Sequence, residues 1–361
     1  MNLRPVRLAL DVMGGDHGPT EVCRGALLAA RDLPHGSKIV LVGDASAMGR
    51  LETASRPEGV ELEITHTADV IGPNDRPSDA FRKKPNASVA LAAKLVKDGK
   101  ADAFVSIGNT GAAMAAALLH LQRVPGIDRP AITAAIPTLT RPTVMLDMGA
   151  NVDCEPHQLA EFAVMGLVYC KTVLGRENPS VALLSNGSED CKGNSLTRRA
   201  HRLLAECLPE FIGNIEAREV FYGKADVVVC DGFDGNVMLK CAEGVAMLVL
   251  SVMKEELTRH PWMRLALLPL RPAMRRIGER LDYRAFGGAP LLGVNGVCVI
   301  GHGSSDALAV SNALRVASAS VGHALIDAIR EAAQDLRKRR AALRENGVAG
   351  ATAGPAACGG S

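Results

Sequence analysis

Residues 99–122, GKADAFVSIGNTGAAMAAALLHLQ, constrain the fold of this chain more than any other stretch. Ala103, Phe104 and Val105 read as a short apolar strand, and Gly108 and Gly111 mark a turn. An Ala-rich helix is predicted over about 112–121, its small side chains suited to close packing on a sheet. The pattern returns at 223–238 as GKADVVVCDGFDGNVM. Without gaps, the copies share Gly99/Gly223, Lys100/Lys224, Ala101/Ala225, Asp102/Asp226, Val105/Val229, Gly108/Gly232, Gly111/Gly235 and Met114/Met238. Such loops aim backbone N–H groups and the positive end of a helix at one point, where an anion can sit. They also serve as tight packing turns, and the repeat alone leaves both readings open.

The same order of strand, polar Gly/Asn/Asp loop and helix recurs along the chain. A strand over 6–12 runs into Met13–Pro19 and a helix over 20–32. Strands are predicted over 38–42, 62–65, 131–137, 143–147, 181–184 and 297–300. Helices are predicted over 88–98, 156–174, 195–206 and 237–259, and one long helix from about 306 to 344. This rhythm implies a mostly parallel sheet with helices on both faces, and ligands at the carboxyl ends of its strands. With aromatics at 3% and hydrophobics at 47%, the core must be built from Ala, Val, Leu, Ile and Met, which suits helix-on-sheet layers.

A net charge of +2 argues against general nucleic-acid binding. Nine dispersed cysteines without a Cys-x-x-Cys read as reduced thiols of a cytoplasmic protein, with no structural zinc and no metal expected. No transmembrane segment is expected, since the uncharged run 103–122 carries Ser106, Asn109, Thr110 and His120. Arg82, Lys83 and Lys84 are either a solvated face or a phosphate-facing cluster.

Residues 243–283 break the rhythm. Leu270, Met274, Ile277 and Leu281 fall on one helical face, and six arginines stand against one acid between 257 and 281. One reading is an amphipathic helical hairpin, 251–283, buried in a dimer. The other is a peripheral membrane contact through Trp262, Leu265, Leu267, Leu268, Leu270, Arg271 and Arg275. The interleaved arginines favour the membrane. Residues 346–361, rich in Gly and Ala, are expected to be a disordered tail.

Several loops together resemble one family. LDVMGGDHGP (10–19), SIGNTGA (106–112), DMGANVDC (147–154), FIGNIE (211–216), CDGFDGNV (230–237) and GGAPLLGVNG (287–296) resemble, in order, the bacterial phosphate acyltransferases of phospholipid synthesis, the PlsX family. The resemblance spans roughly 6–325. The loop 185–194 departs from the family pattern, with SNGSE in place of Asn-Ile-Gly-Glu-Glu, while Glu189, Lys192 and Gly193 still match.

The resemblance implies a three-layer αβα fold akin to isocitrate dehydrogenases and phosphotransacetylases, in a single catalytic domain over 1–345 with the hairpin protruding. It implies acyl phosphate made from fatty acyl-acyl carrier protein (acyl-ACP) and inorganic phosphate, without a cofactor. It further implies a homodimer attached peripherally to the cytoplasmic membrane, delivering product to a membrane glycerol-3-phosphate acyltransferase. Phosphate attacking a thioester needs anion and oxyanion binding more than a triad. The expected catalytic residues are Lys192, Asn194, Asn236 and Asp231. Phosphate or oxyanion contacts are expected from Asp11, Gly14, Gly15, Asn109, Thr110, Gly111, Asn151 and Gly232. Asp231 is read either as orienting Lys192 or Asn236 or as capping a helix. The alternatives are a phosphotransacetylase-like enzyme using acyl-coenzyme A, a dehydrogenase on the related fold (though no dinucleotide fingerprint is visible), and a non-catalytic membrane scaffold.

Overall fold

Strands that are apolar on both faces need helices on both sides, and the computed structural model distributes them over two sheets. It describes residues 4–48, 58–72, 75, 77–259, 272 and 288–347. In chain order the first elements are β1 (Arg7–Asp11), α1 (Gly18–Ala29), β2 (Ser37–Gly43), β3 (Val60–His66), α2 (Pro77–Lys83), α3 (Ser88–Lys97), β4 (Ala103–Ile107) and α4 (Thr110–His120). Next come β5 (Ala131–Ile132), β6 (Ala134–Ile136), β7 (Thr143–Leu146), α5 (Pro156–Thr172), β8 (Val181–Leu184), α6 (Ser195–Cys207), β9 (Phe211–Ile215), α7 (Ala217–Val220), β10 (Val227–Val229) and α8 (Gly232–Thr258). The rest are β11 (Ala289–Leu292), β12 (Val297–Gly301), α9 (Ala307–Gly322) and α10 (Leu325–Gly347).

One sheet has the order β3-β2-β1-β4-β12-β11-β5, and the other β6-β7-β10-β8-β9. Within them β11 and β6 pair antiparallel and the remaining pairs are parallel. Alternate residues serve opposite faces. In the first sheet Leu8, Leu10, Val105 and Val299 pack with α1 and α9. Ala9, Phe104, Cys298 and Ile300 face α3 and α4. That second cluster also takes Met145, Ala182 and Val228 from the other sheet, so the two sheets share an inner core. Beyond it, Val144, Leu183 and Val229 pack with α5, α6 and α10.

Two expectations need correction. The strand predicted over 131–137 divides at Thr133: β5 joins the first sheet and β6 the second, so the chain crosses between sheets within three residues. The single helix predicted to about 344 is two helices, broken where Ala324 takes φ +51 just after Gly322. The break lets α9 cover the first sheet with α1 while α10 packs on α5 over the second.

The repeated Lys-Ala-Asp has the same structural task in both copies. Asp102 Oδ2 accepts from the backbone N–H of Arg7 at 2.8 Å, and Asp102 Oδ1 from the Arg7 guanidinium at 2.7 Å, tying β4 to β1. Asp226 accepts from Ser180 N at 3.0 Å and from Arg176 at 2.8 Å, tying β10 to the entry of β8.

The helix predicted from 237 starts five residues earlier, as α8. The most apolar 18-residue window within Gly232–Leu257 has mean hydropathy 1.5 and none of it is buried, so by length and composition this helix could cross a membrane. Exposed Val245, Met247, Leu248, Val249 and Val252 give it an uncovered apolar surface. Of the hairpin over 251–283 only 251–259 and Pro272 are described. Trp262, Leu265, Leu267, Leu268, Leu270, Arg271 and Arg275 lie outside the described residues, as does the expected tail beyond Gly347.

Candidate active site

The carboxyl ends of β1, β4 and β12 lie side by side, and their loops meet backbone to backbone. A Cβ on Gly14 would stand 2.0 Å from the Ile107 carbonyl oxygen, and one on Gly108 would stand 2.1 Å from the Gly14 carbonyl oxygen. Gly108 also has φ +135, which side chains rarely adopt. The third loop joins through Asp16 N–H, which donates to Gly303 O at 2.8 Å. Gly15 lies in the same junction, close to Val22 and Gly303. Beneath it Asp11 is buried, accepting from Ser106 Oγ at 2.8 Å and Met13 N at 3.1 Å. Burial pushes its carboxyl above the ordinary carboxylate range against the pull of these hydrogen bonds.

The second sheet repeats the device at β7 and β10. Cβ atoms on Gly232 and Gly235 would stand 2.3 Å from Asn151 O and 2.0 Å from Asp147 O. Asp147, fully buried, accepts from Ile132 N, Ala150 N, Asn151 N and Asn151 Nδ2 at 2.9, 3.1, 2.6 and 2.9 Å. Asp231 caps α8 through Phe233 N at 2.8 Å and holds Cys154 N at 2.8 Å. Of the readings left open for Asp231 the structure therefore supplies the cap, with a tie to the neighbouring loop. No hydrogen bond joins it to Lys192 or Asn236 among the described residues.

This bonding divides the expected site residues into two groups. Asn151 spends its backbone N–H on Asp147 and its side-chain amide on Asp147 and Pro130 O, at 2.8 Å for the latter. Asn109 caps α4 through Ala112 N at 3.0 Å and donates to Gly72 O at 3.2 Å. Gly232 N–H donates to Asn151 O at 2.8 Å. Together with Asp11, Gly14, Gly15 and Asp231, these residues shape and hold the loops.

The second group offers donors to solvent. Thr110 and Gly111 are exposed in the first turn of α4, where backbone N–H groups have no intrahelical acceptor. Asn236, exposed in the first turns of α8, lies beside Gly149, whose Cβ would stand 3.4 Å from Asn236 Cβ. The first turns of α4 and α8 rest on the shared core through Met114 and Met238, the last matched pair of the repeat. Lys192 is exposed on the separate loop before α6, where its stem lies against Gly187. Asn194, also exposed, caps α6 by accepting from Thr197 N at 2.9 Å through its side-chain oxygen.

Asp147 is the loop-organising carboxylate that sequence reasoning passed over. Its signal was an acid closing the apolar run 143–146 ahead of a Gly-Ala-Asn turn. His302, a turn histidine, is engaged with Ser304 Oγ at 2.8 Å. Lys84 of the basic cluster pairs with Asp75 at 2.9 Å and Val70 O at 2.7 Å, which is a structural role. A cleft of about 720 Å³ opens elsewhere, between residues 123–128 and α10. Within it His157 Nε2 lies 3.3 Å from Asp128 and Arg340 pairs with Glu161 at 3.4 Å, and no expected site residue lines it. Among the described residues no group of three or more His, Cys, Asp or Glu side chains is placed to hold a metal ion.

Two mostly parallel sheets with glycine loops gathered at strand ends define an α/β fold with a candidate anion site at its loops. The fold resembles a phosphotransacetylase from Streptococcus pyogenes (TM-score 0.57, 17% identity, 88% of this chain and 94% of that one). It also resembles 4-hydroxythreonine-4-phosphate dehydrogenase from Klebsiella pneumoniae (TM-score 0.52, 12% identity, 90% of this chain and 100% of that one). At those identities the likeness concerns fold alone. The family described as "Fatty acid synthesis protein" matches residues 6–327, and the chain belongs to it. The phosphate acyltransferase of Pelotomaculum thermopropionicum is 47% identical over 93% of this chain and 97% of its own length. That of Heliobacterium modesticaldum is 49% identical over 90% and 97%.

Proposed function

We propose that this chain is a phosphate acyltransferase that converts fatty acyl-ACP and inorganic phosphate into acyl phosphate and free carrier protein, for phospholipid synthesis. Its identity of nearly one half, over nearly the full length of relatives bearing that name, carries the reading. The division of site residues supports it. The carboxylates Asp11, Asp147 and Asp231 are consumed within the scaffold, and the groups facing outward are donors.

A phosphate oxygen attacks the thioester carbonyl carbon, a tetrahedral oxyanion forms, and the C–S bond breaks to release the carrier thiolate, which then takes a proton. Phosphate is already nucleophilic near neutrality, and a thiolate with a pKa of about 8.5 leaves readily. The protein's task is to hold phosphate against the carbonyl and to stabilise the oxyanion with preorganised donors. Thr110 and Gly111 at the α4 N-terminus, Asn236, Lys192 and the Asn194 amide take these contacts. The two sheets work as one catalytic unit over 1–345.

The protein acts as a homodimer on the cytoplasmic face of the membrane and passes acyl phosphate to a glycerol-3-phosphate acyltransferase. The exposed apolar surface of α8 supports an interface of this kind. The test is to incubate the protein with acyl-ACP and phosphate and trap acyl phosphate with hydroxylamine, against the hydroxamate and thiol that hydroxylamine releases from the thioester without enzyme. Equal, phosphate-dependent yields of acyl hydroxamate and free carrier thiol above that background are expected. Preference for acyl-coenzyme A, or enzyme-dependent thiol release without phosphate, would overturn the reading.

A further inference from the structure

Helix α6 follows directly on the Lys192 loop and is strongly two-faced. Thr197, Ala200, Leu204 and Cys207 are buried. At about 100° per residue, Arg198, Arg199 and Arg202 fall within an arc roughly 100° wide on the opposite side, and all three are exposed. Arg199 Nε donates to its own helix at Ser195 O, 3.2 Å away. None of the three makes an ion pair among the described residues, including with Glu206 one turn further along the same face. The helix rises about 1.5 Å per residue, so Arg198 and Arg202 stand roughly 6 and 12 Å beyond Asn194 along its axis.

Unpaired arginines on a rigid face are costly neighbours for one another, and they suit a partner that brings the opposite charge. We infer that this face of α6 is the docking surface for the acidic protein that carries the thioester, seating it beside the Lys192 loop so that its acyl arm enters there. The inference rests on the proposed reaction, and the occupant follows from charge complementarity. Only a protein-bound thioester needs such a surface. A small thioester reaches the same loop without it. Exposed charges of this kind govern encounter more than the chemical step, so the effect belongs in KM and in salt dependence.

The experiment compares wild type with R198E/R202E and the milder R198Q/R202Q, using palmitoyl-ACP, palmitoyl-coenzyme A and phosphate as varied substrates. Both substitutions are at exposed helical positions, and thermal melts report folding. Expected is a rise in KM for palmitoyl-ACP of roughly tenfold or more at low salt for the Glu pair and less for the Gln pair, shrinking as salt is added. kcat, KM for phosphate and turnover of palmitoyl-coenzyme A stay at wild-type values.

An unchanged KM for palmitoyl-ACP would overturn the inference. So would equal losses on both thioesters, which would place the arginines in service of the site itself. Loss of binding to anionic vesicles with carrier kinetics intact would assign the face to the membrane and also overturn it. A wild-type protein that makes no acyl phosphate from palmitoyl-ACP would refute the proposed reaction instead, and is read first.

Discussion

Substituting Gly14 by Ala tests whether the contact between the β1 and β4 loops positions the phosphate site. The new Cβ would sit 2.0 Å from the Ile107 carbonyl oxygen, a backbone atom that cannot swing aside. Restoring the 3.4 Å of an ordinary contact requires one loop to retreat by about 1.4 Å. Overpacking of this kind costs about 1–3 kcal/mol, which in a chain of 361 residues lowers Tm by roughly 1–4 °C. The effect on rate is larger, because misplacing a positioning group by about 1 Å can cost on the order of a hundredfold. Thr110 and Gly111 follow directly on the displaced loop, so kcat/KM for phosphate is expected to fall about a hundredfold while the fold persists. The control is G99A: Gly99 has φ +67 but nothing within 4 Å of its Cβ, so Ala there costs about 1–2 kcal/mol of left-handed backbone strain and the protein keeps its activity. The assays are differential scanning calorimetry and hydroxamate-coupled kinetics at varied phosphate. A G14A protein with wild-type Tm and wild-type kcat/KM would refute the argument that these loops are spaced by their glycines.

Asp226 is buried with Arg176 and also accepts from Ser180, so D226A leaves a guanidinium uncompensated and is expected to cost about 3–5 kcal/mol in denaturant unfolding. Lys192→Ala should raise KM for phosphate with an unchanged melting curve, and unchanged phosphate affinity would remove Lys192 from the site. Burial pushes the Cys23 and Cys170 thiols up to about 12, leaving about one part in ten thousand as thiolate at pH 8. Iodoacetamide at that pH should therefore label exposed Cys241 well before Cys23 and Cys170, and mass spectrometry finding Cys23 or Cys170 labelled in the folded protein would contradict it. L267E/L268E is expected to release the protein from anionic vesicles while preserving turnover in solution, whereas loss of the dimer would favour a buried hairpin.

The α/β class and most strands were legible because apolar runs of four to seven residues ending in Gly, Asn or Asp have few other uses. The partition into two sheets was not. Residues 131–136 are one apolar run, and only the competing partners β11 and β7 divide it at Thr133. The break between α9 and α10 left only Gly322 as a trace, since Ala324 carries no mark of its positive φ. At the candidate site, residue types pointed to glycine loops at strand ends but could not show which donors remain unspent. Asn151 and Asn109 look like ligands in sequence, yet their amides close the turns they stand in. The repeat, ambiguous in sequence, resolves into two parts. Its Asp pair ties strands together, and its Gly108/Gly232 pair brings neighbouring loops into contact.

Strand β12 lies between β4 and β11 in the middle of the first sheet, although the whole second sheet intervenes in the chain. During synthesis, β1 to β4 emerge early and must wait with an open apolar edge until that insertion arrives. Nonlocal pairings of this kind close slowly, so the nascent protein passes through a stage at which its first-made half is the less finished one. Chaperone demand should therefore peak late in translation, as residues 289–301 leave the ribosome.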